Sequence, residues 1–230
     1  MAVERSAAKR RKPLIGRPWT GKSQPRATMP SRPARWSARA GMLGGLSWVL
    51  FPLGALPAAD LVLTPRGSLA CYGLGYLLPQ LLLIMGLGGL RAIHGRSYGW
   101  LGSAGFYVSL VALALMFVGG AFEMVKMAST GAGSTVGYLT LVVSFLLLAW
   151  GSVLLGLAIT GVLHDPPSYL AGLLLAIGVP LGLLAVFEAG AAWDFYFWAG
   201  LTVPYGVAWL LLGYALLSAR ATAAKPSRFG

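Results

Sequence analysis

Three groups of residues in this 230-residue chain are of types that can do chemistry. The first is Pro79-Gln80, Pro180 and Pro204-Tyr205, which all fall near the midpoints of long apolar runs. A proline removes one backbone hydrogen bond and frees a carbonyl. Within a bilayer such groups are tolerated only where they are buried in protein or face a wet cavity. The Gln80 amide needs a partner at that depth for the same reason. Broken helices converging at mid-depth are a feature of substrate sites in transporters. Packing alone is the competing reading, because proline is common in transmembrane helices and a glutamine can bond to a neighbouring helix.

The second group is Asp60, Glu123 and Glu188, spaced 63 and 65 residues apart, two of them in the similar contexts Ala-Phe-Glu123 and Val-Phe-Glu188. Each is expected near the outer end of an odd-numbered helix, where a carboxylate opposes the helix dipole. A functional ring of outer carboxylates would attract cations or take up protons. The structural reading is that acids mark the outer boundary of three similar hairpins. Lys126, three residues after Glu123, is placed to neutralise it.

The third group is His94 and His164, which follow the second and fourth apolar runs. On neighbouring helices they would offer two donors to a metal or a haem. No third ligand has convincing spacing, so no metal or cofactor is expected. The single cysteine, Cys71, excludes an intrachain disulfide and a cysteine zinc site. The chain contains no P-loop, no His-Glu-x-x-His and no Gly-x-Ser-x-Gly. No catalytic residue is assigned, and the chain is not expected to be an enzyme.

These residues are carried on apolar helices. The chain is 57% hydrophobic and 10% charged, against about a quarter charged in soluble domains. Uncharged runs cover 40–59, 67–90, 97–122, 127–163, 166–187 and 195–219. Roughly 20 apolar residues make one helical crossing. The polar segment 128–135 reads as a loop that trims the fourth run. The alternation that marks a membrane β-barrel is missing. The expected fold is therefore an all-α integral membrane protein, with six transmembrane helices in one bundle at about 41–59, 69–91, 98–121, 136–163, 168–188 and 195–218.

Charge gives the domain limits and the orientation. Eleven of the 18 Lys and Arg residues lie in 1–40 and three in 220–230, around a transmembrane domain at 41–219 with four cations and five acids. Cations beside spans stay cytoplasmic. With both termini inside, 16 cations are cytoplasmic and two, Arg66 and Lys126, are outside; without the N-terminal tail the count is 5 against 2. The aromatic cluster Trp193 to Trp198 fits an outer interfacial belt. The expected location is the plasma membrane, multi-pass, and 13 Arg against five Lys suggests a GC-rich bacterial source.

Residues 1–40 hold one acid, Glu4, and few apolar residues, too few to offset ordering entropy, so a disordered tail is expected. A polybasic segment beside a span binds anionic lipid headgroups with about 1 kcal/mol per cation. Lys9-Arg-Arg-Lys12 is too short a run to argue for nucleic acid. Met29 and Met42 are alternative starts, and a chain begun at Met42 would keep almost all of the first helix.

Two functions fit. One is a permease-like or channel-like protein passing a small solute or ion near Gln80, Pro180 and Tyr205. The other is a non-catalytic membrane subunit or scaffold that packs on a membrane protein partner, or on a second copy, through glycine-rich faces. Gly41 with Gly45, and Gly178 with Gly182, have the small-xxx-small spacing that permits close helix contact.

Overall fold

A computed structural model describes residues 32–55, 71–94, 97–182, 184 and 195–223; nearly all of them are helical and none lies in a strand. Helix α1 spans Arg32–Ala55. A π-helical turn, Cys71–Leu77, leads into α2, Leu78–His94. The two long helices are α3, Gly99–Thr130, and α4, Thr135–Val162. Helix α5, Pro166–Leu173, runs on through a second π-helical turn, Leu174–Gly178, as one apolar stretch to Gly182. Helix α6 spans Phe195–Ala223.

Four stretches are long and apolar enough to cross a membrane: Gly75–His94, Gly99–Thr130, Thr135–Val162 and Ala199–Ser218. The molecule thus has the build of a membrane protein. Composition alone predicts six such stretches. The fifth, Pro166–Gly182, is shorter among the described residues, and α1 opens among Arg32, Arg35 and Arg39.

Helix limits depart from the expected ones at several ends: α2 runs to His94 and α6 to Ala223, past the expected 91 and 218, and α1 and α3 depart for local reasons. Helix α1 starts at Arg32, so residues 32–40 belong to it and not to a disordered tail. Pro33 sits in the first turn, where its missing N–H costs nothing, and Ala38 and Ala40 are buried. Helix α3 continues to Thr130, which shrinks the expected loop at 128–135 to four residues. It stops at Gly131, whose φ of 70° is left-handed and whose N–H bonds to the Met127 carbonyl. Ser134 then caps α4 by accepting the Gly137 N–H at 3.3 Å, and Asp165 caps α5 by accepting the Ser168 N–H at 3.2 Å. Pro166 and Pro167 occupy the first turn of α5.

Both π-helical turns lie just ahead of a mid-helix proline. Pro79 follows Cys71–Leu77, and Pro180 follows Leu174–Gly178. A proline ring clashes with the carbonyl four residues back and gives it no hydrogen bond. Those carbonyls belong to Gly75 and Ala176, both within the wider π turns, where they have room to move aside. Pro204 lies inside α6 without such a turn.

The helices pack as a ring in chain order: each touches the next, and α6 closes on α1. Small residues set the closest approaches, as they do where lipid supplies no hydrophobic drive between helices. A Cβ on Gly45 would lie 2.5 Å from the Gly206 carbonyl, and one on Gly86 would lie 2.6 Å from the Gly41 Cα. A Cβ on Gly105 would lie 2.5 Å from the Leu155 nitrogen, joining α3 to α4. The core is lined by Leu83, Leu87, Leu113, Met116, Leu148 and Leu175, with the large rings of Trp48, Tyr205 and Trp209 toward α1 and α6.

Candidate mid-depth polar site

Gln80 is fully buried on α2, and neither its amide oxygen nor its amide nitrogen has a hydrogen-bond partner among the described residues. On α6 the hydroxyl of Tyr205 and the indole N–H of Trp209 are likewise buried, and neither completes a hydrogen bond. The two groups come close enough to interact but not into bonding geometry. Each such group costs about 1–3 kcal/mol relative to a satisfied one. Elsewhere in the bundle buried hydroxyls are satisfied locally: Ser144 donates to the Thr140 carbonyl at 2.5 Å and Ser152 to the Ala149 carbonyl at 2.8 Å. Ser109, whose oxygen is buried against Gly151, and Tyr98 are further exceptions, each with its hydroxyl buried without a partner.

Helix α1 touches both the Gln80 helix and the Tyr205 helix. Gly44 lies against the Pro79 carbonyl, Leu82 and Leu83 of α2. One turn farther along α1, the Trp48 ring meets the Tyr205 ring with centroids 5.2 Å apart. Trp209 follows one turn beyond Tyr205, its ring 6.3 Å away and packed over Gly41 and Gly86. Pro79 is buried, while Pro180 and Pro204 are half-buried. Gly178, two residues before Pro180, faces Pro204, so a Cβ there would lie 3.0 Å from the Pro204 Cβ. The structure thus links the Pro180 region to Pro204-Tyr205 directly, and both to Pro79-Gln80 through α1. Every side chain in this seam is uncharged. Sequence reasoning misses Trp48 and Trp209; the signal for them is an indole at the middle of an apolar run, away from the interface such rings prefer.

Of the three carboxylates expected at the outer side, the structure describes Glu123. Asp60 and Glu188 lie outside the described residues. Glu123 sits within α3, seven residues before its end, and both of its carboxylate oxygens accept the Ser134 N–H at 3.0 Å. Its oxygens rest against Gly133 and Gly137, where a Cβ would collide with them. The acid therefore occupies the N-terminus of α4, where the dipole favours it, and not the C-terminus of its own helix, where it would be opposed. The partner expected from sequence, Lys126, is not the group it uses.

His94 is the last residue of α2, not part of the turn beyond it, and its ring lies 5.6 Å from that of Tyr98. His164 is exposed in the turn between α4 and α5. No cluster of three or more His, Cys, Asp or Glu occurs among the described residues, so the two histidines have no third ligand there. Tyr98 is itself buried; burial first, and the Asp165 charge second, push its phenol up, so it stays protonated as a donor.

The glycines expected to face a partner are used inside the chain. Gly41 and Gly45 meet α2 and α6, Gly178 meets Pro204, and Gly182 meets Gly200. No protein-family model matches the chain, and no curated protein or solved structure shows a significant match to it.

Proposed function

We propose that the chain is a permease-like or channel-like membrane protein with six crossings and both termini cytoplasmic, passing a small uncharged solute beside Gln80 and Tyr205. The observation that carries this reading is Gln80: an amide fully buried in the first turn of α2, within a long apolar stretch, with both polar atoms unpartnered. A residue kept for packing would be apolar or satisfied at that depth. A passing solute or water supplies the missing bonds transiently. The lack of any charge in the seam favours an uncharged solute over an ion, and the distribution of cations supports the orientation.

A second feature supports the same reading. The two helices interrupted by a π turn and a proline are the second and the fifth of six. In a chain of two three-helix halves these are corresponding positions, and with three crossings per half the halves run in opposite senses. Paired interruptions of this kind mark substrate sites in transporters built from inverted repeats. The permease-like reading is favoured over the subunit reading because the glycines named for the latter, Gly41, Gly45, Gly178 and Gly182, face other helices of the same chain.

The test uses the full chain reconstituted in vesicles, with glycerol and urea as uncharged probes and potassium as the charged one. Swelling in glycerol or urea gradients should exceed that of protein-free vesicles, and Gln80→Leu should return it to the protein-free rate while the unfolding midpoint in detergent holds. Unchanged swelling in Gln80→Leu, or no swelling above the protein-free rate, would overturn the proposal.

A further inference from the structure

At the far end of α2 from its π turn, Arg91 is half-buried and has no carboxylate partner among the described residues. Its guanidinium is nevertheless held in place. It donates to the Tyr107 hydroxyl at 3.1 Å and lies over the rings of Phe106 and Tyr107, 4.6 and 4.7 Å from their centroids. These contacts orient the group and supply no counter-charge. Beside it Tyr98 is 6% exposed, and its hydroxyl is buried without a partner. Arg91, Tyr98, Ser103, Phe106 and Leu155 line one cleft with a volume of about 10 Å³.

We infer that this cleft holds a phosphate anion, that of a phospholipid headgroup, between the Arg91 guanidinium and the Tyr98 hydroxyl. A fixed guanidinium and an unsatisfied O–H donor on two residues that line the same cleft are a donor set suited to phosphate oxygens. The volume admits about one water-sized group, so one phosphoryl oxygen enters and the rest of the headgroup stays at the mouth. Asp165 is the carboxylate nearest in effect to Tyr98, and its charge is engaged with the N-terminus of α5 through the Ser168 N–H. A lipid source is favoured over free phosphate because the α3 face leading away from the cleft is exposed and apolar. Tyr107, Val111 and Val118 form one stripe there at helical spacing, along which an acyl chain can lie. The inference is independent of the mid-depth site and of the direction in which the chain is inserted.

The experiment follows thermal unfolding of the full chain in a neutral detergent, with added phosphatidylglycerol, a galactosyl diacylglycerol that lacks phosphate, or inorganic phosphate. Phosphatidylglycerol should raise the unfolding temperature and the galactolipid should not. Tyr98→Phe should leave the lipid-free unfolding temperature unchanged or slightly higher, because it deletes a hydroxyl that has no partner. The same variant should weaken phosphatidylglycerol binding by about tenfold, the effect of one charge-assisted hydrogen bond, and Arg91→Gln should weaken it further. Equal lipid shifts in wild type and both variants would assign the lipid to the basic N-terminal segment and overturn the site. A lowered lipid-free unfolding temperature in Tyr98→Phe would overturn the vacant-donor premise. A full shift with inorganic phosphate alone would overturn the lipid source.

Discussion

The turn between α3 and α4 and the seam around Gln80 both place polar atoms in an apolar chain, half-buried at the turn and fully buried at the seam, and they treat them in opposite ways. At the turn the polar groups find partners: Glu123 takes the Ser134 N–H with both oxygens, Ser134 takes the Gly137 N–H, and Gly131 donates to Met127. At the seam the Gln80 amide, the Tyr205 hydroxyl and the Trp209 indole are left without hydrogen bonds. The first pattern stabilises a fold, and the residues in it can be explained without a ligand. The second raises the free energy of the empty molecule and lowers it only when something else supplies the bonds.

Removing polar groups should therefore have opposite signs in the two places. The largest stability loss is expected for Glu123→Ala, which deletes a carboxylate bonded to a backbone N–H and leaves the α4 N-terminus uncapped on that side; about 2–3 kcal/mol by denaturant titration in detergent would fit. A loss below about 0.5 kcal/mol would free Glu123 for the cation-attracting role its spacing suggests. Asp165→Ala removes a single cap from α5 and should cost about 1 kcal/mol in the same titration. Tyr205→Phe should show the smallest change, within about 0.5 kcal/mol of zero or stabilising, since its hydroxyl has no bond to lose. A loss above about 1 kcal/mol there would mean that the hydroxyl is bonded in the resting molecule, and the contrast between turn and seam would collapse.

Much of the fold is legible in the residues. Uncharged runs locate the helical stretches, and Asp165 followed by two prolines announces the start of α5 by residue type alone. What escapes is whatever depends on two elements meeting. Glu123 has the sequence position of a carboxylate at the wrong end of a dipole, but α3 runs past it and the chain folds back, presenting a different dipole to the same side chain. The loop expected at 128–135 shortens because one glycine, Gly131, can take the left-handed turn that ends α3 where a polar composition alone would end it sooner. The glycine spacings correctly announce close helix contact, but spacing cannot say whether the other helix belongs to the same chain. Of the candidate site, the prolines, Gln80 and Tyr205 are legible as polar or chain-breaking residues within apolar runs. The indoles are not, since tryptophan in an apolar run reads first as bulk.

The reach of α3 has a consequence for the shape of the molecule in its surroundings. A helix of 32 residues extends about 48 Å, against a hydrocarbon layer of about 30 Å. In the proposed crossing part of that surplus would be absorbed by tilt, and the rest would carry the α3–α4 tip clear of the lipid tails. In that arrangement a label at Ala132, among the exposed residues Ala128 to Gly133, would report which compartment that side faces.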